Sequence, residues 1–172
     1  MIRRGFLLLF CASSSLAAQK TRASIGLPGF GERFPIEDVT VPFTIDAPAA
    51  KVAAAVQQAF GELKVPADMA DSATGTYGTL RLKAQINFAG YRMSKLLDCG
   101  QNTTTGPNAD SYRVTIVFLA LLDAADATHT KLQVCFVAGA EPPAGGRASA
   151  LQCGSTGVME AKFVDLVNKH LK

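Results

Sequence analysis

The stretch Thr79-Leu80-Arg81-Leu82-Lys83-Ala84-Gln85-Ile86-Asn87-Phe88-Ala89 decides the fold class. Its residues alternate, with Leu80, Leu82, Ala84, Ile86 and Phe88 on one side. Thr79, Arg81, Lys83, Gln85 and Asn87 fall on the other. A period of two with one apolar and one polar side is a half-buried strand of an antiparallel sheet. Gly90 then marks a turn or bulge, and Tyr91 to Leu97 reads as a short further strand.

Downstream, Gly100 to Asp110 is a turn-rich loop of Gly, Asn, Thr and Pro. Tyr112 to Leu122 reads as a long strand, apolar in part on both faces. The polar turn Asp123–Thr128 joins it to a partner strand, Thr130 to Gly139, which makes a hairpin. Upstream, Val39, Val41, Phe43 and Ile45 alternate, and Pro42 places that strand at a sheet edge. Asp46 suits an N-cap and Pro48 a first helical turn. The helix that follows carries Val52, Val56, Phe60 and Leu63 on one stripe, and Val65-Pro66 ends it. A last helix, capped by Ser155 or Thr156, carries Met159, Phe163, Leu166, Val167 and Leu171. The order strand, helix, strands, helix predicts an α+β fold: an antiparallel sheet of about four or five strands with two helices packed on one face.

At the N-terminus, basic Met1-Ile2-Arg3-Arg4 precedes an apolar run from Gly5 to Ala12 and the small residues Ser13 to Ala18. That order reads as a secretory signal peptide over 1–18. Residues 19–35 read as a flexible leader, and 36–172 as one α+β domain. The apolar run is far below the roughly 20 residues a spanning helix needs. Leu8-Leu9-Phe10-Cys11 carries a lipobox-like leucine, but bulky Phe10 precedes the cysteine, so acylation of Cys11 is not expected. The formal charge is +3, and +1 once Arg3 and Arg4 leave with the signal. No basic patch with interleaved aromatics is present, which argues against nucleic acid as a partner.

Past the signal three cysteines remain. Cys135 lies within a strand-like run, where it acts as a small apolar residue. Cys99, in Asp98-Cys99-Gly100, and Cys153, in Cys153-Gly154-Ser155-Thr156-Gly157, lie in loop-like settings beside glycines. An oxidising compartment pairs those two as a disulfide.

Little in the sequence carries chemistry. Residues 153–157 nearly match a Gly-x-Ser-x-Gly nucleophile elbow, with Cys153 in place of the first glycine. The acid and base that follow, Asp165 and His170, lie on the helix that Ser155 begins, roughly 15–20 Å away. The two histidines, His129 and His170, offer no metal-ligand spacing. Gly154 and Gly157 could bring free N–H groups to an anion at the helix start. Asn102-Thr103-Thr104 is a glycosylation sequon. No cofactor, metal or catalytic residue is expected, and the chain reads as non-enzymatic.

Leu97-Asp98-Cys99-Gly100, Gly106-Pro107-Asn108-Ala109-Asp110 with Tyr112, and Cys153 with Ser155, Gly157 and Glu160 resemble an uncharacterised family of exported bacterial proteins. That resemblance runs from about residue 40 to the end and implies export and a shared fold, with no activity attached. The element order is also similar to the repeated domain of BamC, an outer-membrane assembly lipoprotein. The run Ile45-Asp46-Ala47-Pro48-Ala49-Ala50-Lys51-Val52 resembles the start of the START-like helix-grip ligand binders. The expectation is an exported, periplasmic or envelope-associated domain acting through contacts with another envelope protein. The polar strand face of Arg81, Lys83, Gln85 and Asn87 is the expected contact surface, with Arg113 and Thr115, or Lys131 and Gln133, beside it. The alternative is a small carrier of an apolar ligand such as a lipid.

Overall fold

The computed structural model describes residues 24–172, apart from 28, 32, 85 and 144–148. The expected signal peptide with Cys11, the first part of the leader and Gln85 lie outside the described residues.

Strands β1 (Ser24–Gly26) and β2 (Arg33–Pro35) pair antiparallel and run into a 3-10 turn, Ile36–Val39. β3 (Thr40–Ile45) leads to α1 (Ala49–Glu62), followed by β4 (Met69–Asp71) and β5 (Thr76–Ala84). Short pieces come next: β6 (Asn87–Phe88), β7 (Tyr91–Arg92), α2 (Met93–Leu96), β8 (Leu97–Asp98), β9 (Gln101–Asn102), β10 (Gly106–Pro107) and α3 (Asn108–Ser111). The chain closes with β11 (Arg113–Ala124), β12 (Thr130–Glu141), β13 (Leu151–Ser155) and α4 (Val158–His170).

The fold is α+β, built on a seven-stranded antiparallel sheet in the order β4-β5-β11-β12-β13-β8. β3 shares one edge of β12 with β13: it pairs from Thr130 to Cys135, and β13 pairs from Ala138 to Ala140. The count exceeds the expected four or five because β4 and β8 are only three and two residues long. Such pieces carry no periodicity of their own. β13 was hidden as a Gly-containing approach to the last helix. β3 is an edge strand, as Pro42 implied.

Helices α1 and α4 pack together on one face of the sheet. Between them and the strands, Phe60 meets Phe163 at 4.7 Å and Phe118 at 5.0 Å, ring centre to ring centre. Phe118 also meets Phe163 and Phe136, each at 5.1 Å. All four rings are fully buried. The Phe60–Phe163 pair is tilted and the others are edge-on; such aromatic pairs contribute about 0.5–1.5 kcal/mol each beyond the area they bury. The ends of the helices differ from expectation. Pro48, not Asp46, holds the N-cap of α1, with no side-chain cap. Its C-terminus closes in a Schellman turn: Val65 N–H bonds to Phe60 O, and Lys64 N–H to Gly61 O, with Lys64 left-handed at φ 56°.

A bulge in β5 changes which residues face the helices. Ile116 pairs with Leu82 but Phe118 pairs with Thr79, so β5 holds one residue more than β11 there. Thr79, expected to face out, is therefore buried, and Leu80, expected to face the helices, joins a cluster on the other side. Leu82, Ala84 and Phe88 stay with the helix-side core, whereas Ile86 is 55% exposed. Gly78, at φ 129° beside the Phe118 carbonyl, admits the close approach.

The second face is not a bare polar surface. Val117 and Leu119 of β11 and Cys135 and Val137 of β12 form an apolar patch across its middle. Ile25, Leu27 and Ile36 are buried on it, with Phe30 and Phe34 alongside. β1 and β2, within the stretch 19–35 expected as a flexible leader, thus form a two-stranded cover on this outer face.

Candidate functional site

Alternation along β11 puts Arg113 and Thr115 on the same face as Val117, and cross-strand pairing sets Glu141 beside Arg113 and Lys83 beside Thr115. β5 leaves β11 after Ala84, the last residue of its ladder. The chain turns away there into the β6–β7 hairpin, and the splayed end of the sheet holds an open groove of about 720 Å³. Lys83, Asn87, Arg113 and Thr115, four residues of the expected contact face, line it. Ile86 and Tyr112 add an apolar side, and Glu141 and Asp110 two carboxylates.

The charges differ in how firmly they are held. Asp110 accepts from Ser94 N–H at 2.9 Å and from the Ser94 hydroxyl at 2.8 Å, with Arg92 4.0 Å away. Its carboxylate therefore caps the first turn of α2 across 16 residues of chain and serves structure first. Arg113 pairs with Glu141 at 3.4 Å, both well exposed, an ion pair worth about 0–1 kcal/mol. Lys83 is exposed, and so are Asn87 and Arg81, although Arg81 lies outside the groove. Lys131 is exposed and Gln133 half-buried further along β12, so the cover divides the expected surface instead of leaving one continuous patch.

The residues around the disulfide form a second polar cluster, buried at Asn108 and Glu160. Cys99 and Cys153 are bonded, with Cα atoms 4.3 Å apart, tying the loop after β8 to β13. Asn108 is buried and donates its side-chain amide to the Cys99 carbonyl at 3.1 Å. Ser155 does not cap α4 as expected. Gly157 takes that position in left-handed geometry, and its N–H donates to the Ser155 hydroxyl at 3.0 Å. The hydroxyl in turn donates to Glu160 at 2.7 Å. Thr156 donates to the Lys95 carbonyl at 2.7 Å. Glu160 is 1% exposed, and loss of hydration pushes its carboxyl above the usual range against the pull of the Ser155 bond.

This arrangement bears on the chemistry weighed from sequence. The helix start that could have bound an anion is filled by the chain's own Glu160 and Ser155. The base imagined for Ser155 sits elsewhere: His170, at the far end of α4, pairs with Glu62 at 3.0 Å. The free thiol Cys135 is buried and pushed up to about 12, first by desolvation and then by Glu160, which leaves it inert at neutral pH. Among the described residues no three His, Cys, Asp or Glu side chains are placed to hold a metal ion.

Sequence reading missed Ile86 and Glu141 in the groove and Glu160 in the cluster at the disulfide. Alternation counted Ile86 as core. Glu141, at a strand end, looks like any solvated carboxylate, and Glu160, in the first turn of α4, is buried only in the folded chain, where Ser155 at the end of β13 donates to it.

No protein-family profile, no curated protein and no solved structure matches this chain. Among the described residues no helix is long and apolar enough to cross a membrane. That fact and the disulfide are compatible with export.

Proposed function

We propose that this is an exported, envelope-associated, non-enzymatic domain that acts by binding another envelope protein through the groove at the open end of its sheet. One observation carries the reading. The space between helices and sheet is filled by the interlocked rings of Phe60, Phe118, Phe136 and Phe163. An accessible groove lies at the sheet end, where Lys83 and Arg113 stand beside exposed Ile86. An exposed apolar side chain with charged groups at its rim suits a modest protein-contact patch. A lipid carrier of helix-grip type is the alternative, and it would need the volume that those rings occupy.

The test is site-specific photo-crosslinking in the producing cell. A benzoylphenylalanine at position 86 should give a discrete protein adduct that Lys83→Glu with Arg113→Glu abolishes, while the same probe at exposed Lys51 on α1 gives none. Equal adducts from both probes, or an adduct indifferent to the charge reversal, would contradict the proposal. A stoichiometric lipid extracted from the native protein would promote the carrier instead.

A further inference from the structure

The sheet has an open edge that leads into the sheet-end groove. β4 flanks β5 only along Thr76, Tyr77 and Gly78. From Thr79 to Ala84, β5 has β11 on one side and, among the described residues, no strand on the other. Alternate N–H and C=O groups of such a run point away from the sheet. Among the described residues, the one side-chain bond to the main chain of this run is a long contact of 3.3 Å from the Arg81 N–H to the Thr79 hydroxyl. Residues 80–84 extend over about 17 Å, the length of an ordinary strand. The other edges are blunted: β8 is two residues long, β4 is three, and β3 carries Pro42.

The side chains along this edge differ by face. Leu82 and Ala84 are half-buried and belong to the helix-side core, which ends here. Alternation from Leu82 puts Arg81 and Lys83 on the outer face, and both are exposed. Among the described residues neither is paired with a carboxylate, whereas neighbouring Arg113 has Glu141. A strand laid against the edge therefore meets two uncommitted cations on one side and a strip of apolar surface on the other. A second copy of β5 laid antiparallel would set those cations against their own kind.

We propose that this edge takes up an extended segment of the protein partner as an added strand, one that alternates acidic and apolar residues. Main-chain bonds to β5 supply affinity. Acidic side chains opposite Arg81 and Lys83, and apolar ones against Leu82 and Ala84, set register and choice. A basic segment meets like charge there, and charge equally rejects a second copy of this chain. The inference rests on the contact reading, since Lys83 and Ala84 also line the sheet-end groove, and it names how the partner is held.

The experiment is a titration of the mature protein, followed by amide NMR and hydrogen exchange, with a capped hexapeptide alternating glutamate and valine and with its lysine–valine counterpart. With the acidic peptide, saturable shifts centred on residues 80–84 are expected, and the outward amides there should exchange about tenfold more slowly at saturation. The basic peptide at the same concentration should do neither. Arg81→Glu with Lys83→Glu should swap the two preferences, a reversal that a merely damaged fold does not produce. Methylating alternate peptide nitrogens should abolish binding in one phase and spare it in the other. Equal binding of the two peptides, binding of neither, shifts centred elsewhere, or indifference to methylation in both phases would each overturn the inference. Edge amides that are all slow to exchange in the free protein would overturn it too, as a run already covered by this chain. A concentration-dependent dimer that protects them would overturn it in favour of a second copy. A charge-sensitive photo-adduct from position 86 alongside any of these failures would sink strand addition and leave the contact reading standing.

Discussion

The Ser155 hydroxyl links the first turn of α4 to the end of β13, donating to Glu160 at 2.7 Å while it accepts the Gly157 N–H at 3.0 Å. Glu160 Oε1, by contrast, finds no partner among the described residues. A buried carboxyl so placed favours its protonated form. Because its folded-state pKa is raised, its contribution is fully present below the ordinary carboxyl range and lost as pH rises through the raised value. Glu160→Gln should therefore gain on the native protein as pH rises above the ordinary carboxyl range, even where its added N–H₂ lowers stability outright. Urea unfolding of both proteins across that rise checks this. Parallel stability curves would contradict it. Ser155→Ala should cost about 1–3 kcal/mol, through the orphaned Gly157 N–H and the lost bond to Glu160.

The Cys99–Cys153 bond closes a loop of 54 residues around the central hairpin. In the chain-entropy model such a loop stabilises the fold by about 4 kcal/mol. Replacing both cysteines by alanine should lower unfolding stability by about that amount. Mass spectrometry of a non-reduced digest should find Cys99 and Cys153 in one linked peptide, with Cys135 alkylated only after denaturation. A linked Cys99–Cys135 peptide would refute the pairing.

Two glycines should respond in opposite directions to alanine. Gly78 sits at positive φ, and an added Cβ would collide with the Phe118 carbonyl oxygen. Gly78→Ala should cost at least about 2–3 kcal/mol and disturb the β5 bulge. Gly61 lies in the last turn of α1, and a Cβ there meets nothing within 4 Å. Gly61→Ala should raise stability by about 0.5–1 kcal/mol. Thermal melts of the two variants read both effects, and a neutral Gly78→Ala would show that the bulge does not depend on glycine.

The parts of this fold that were legible in the sequence have local signals. The β11–β12 hairpin shows long apolar runs on either side of a polar turn. α1 and α4 show apolar stripes, and Cys99 and Cys153 stand in Gly-containing settings apart from the strand-borne Cys135. The missed features depend on contacts between distant segments. The bulge follows from the approach of Gly78 to Phe118, which alternation along Thr79–Ala89 does not encode. β1 and β2, at three residues each, are strands only because Ile25 and Leu27 find Val117, Leu119 and Val137 to cover. The apolar second face of β11 was visible and is the physical reason for the cover. Of the sheet-end groove, Lys83, Asn87, Arg113 and Thr115 could be read from strand parity. Ile86 could not, because its exposure depends on β5 leaving β11 at Ala84, and Glu141 at the end of β12 carries no signal that sets it beside Arg113.

The claim on which the functional reading rests is that the helix–sheet space is packed core and not a ligand chamber. Phe163 sits at its centre, fully buried against Phe60 and Phe118. Denaturant unfolding of Phe163→Ala, with no ligand added, tests the claim most directly. A filled core should lose about 3–5 kcal/mol when that ring is cut back. A loss near zero would mean that the ring lines a space held open for a ligand, and would contradict the contact reading.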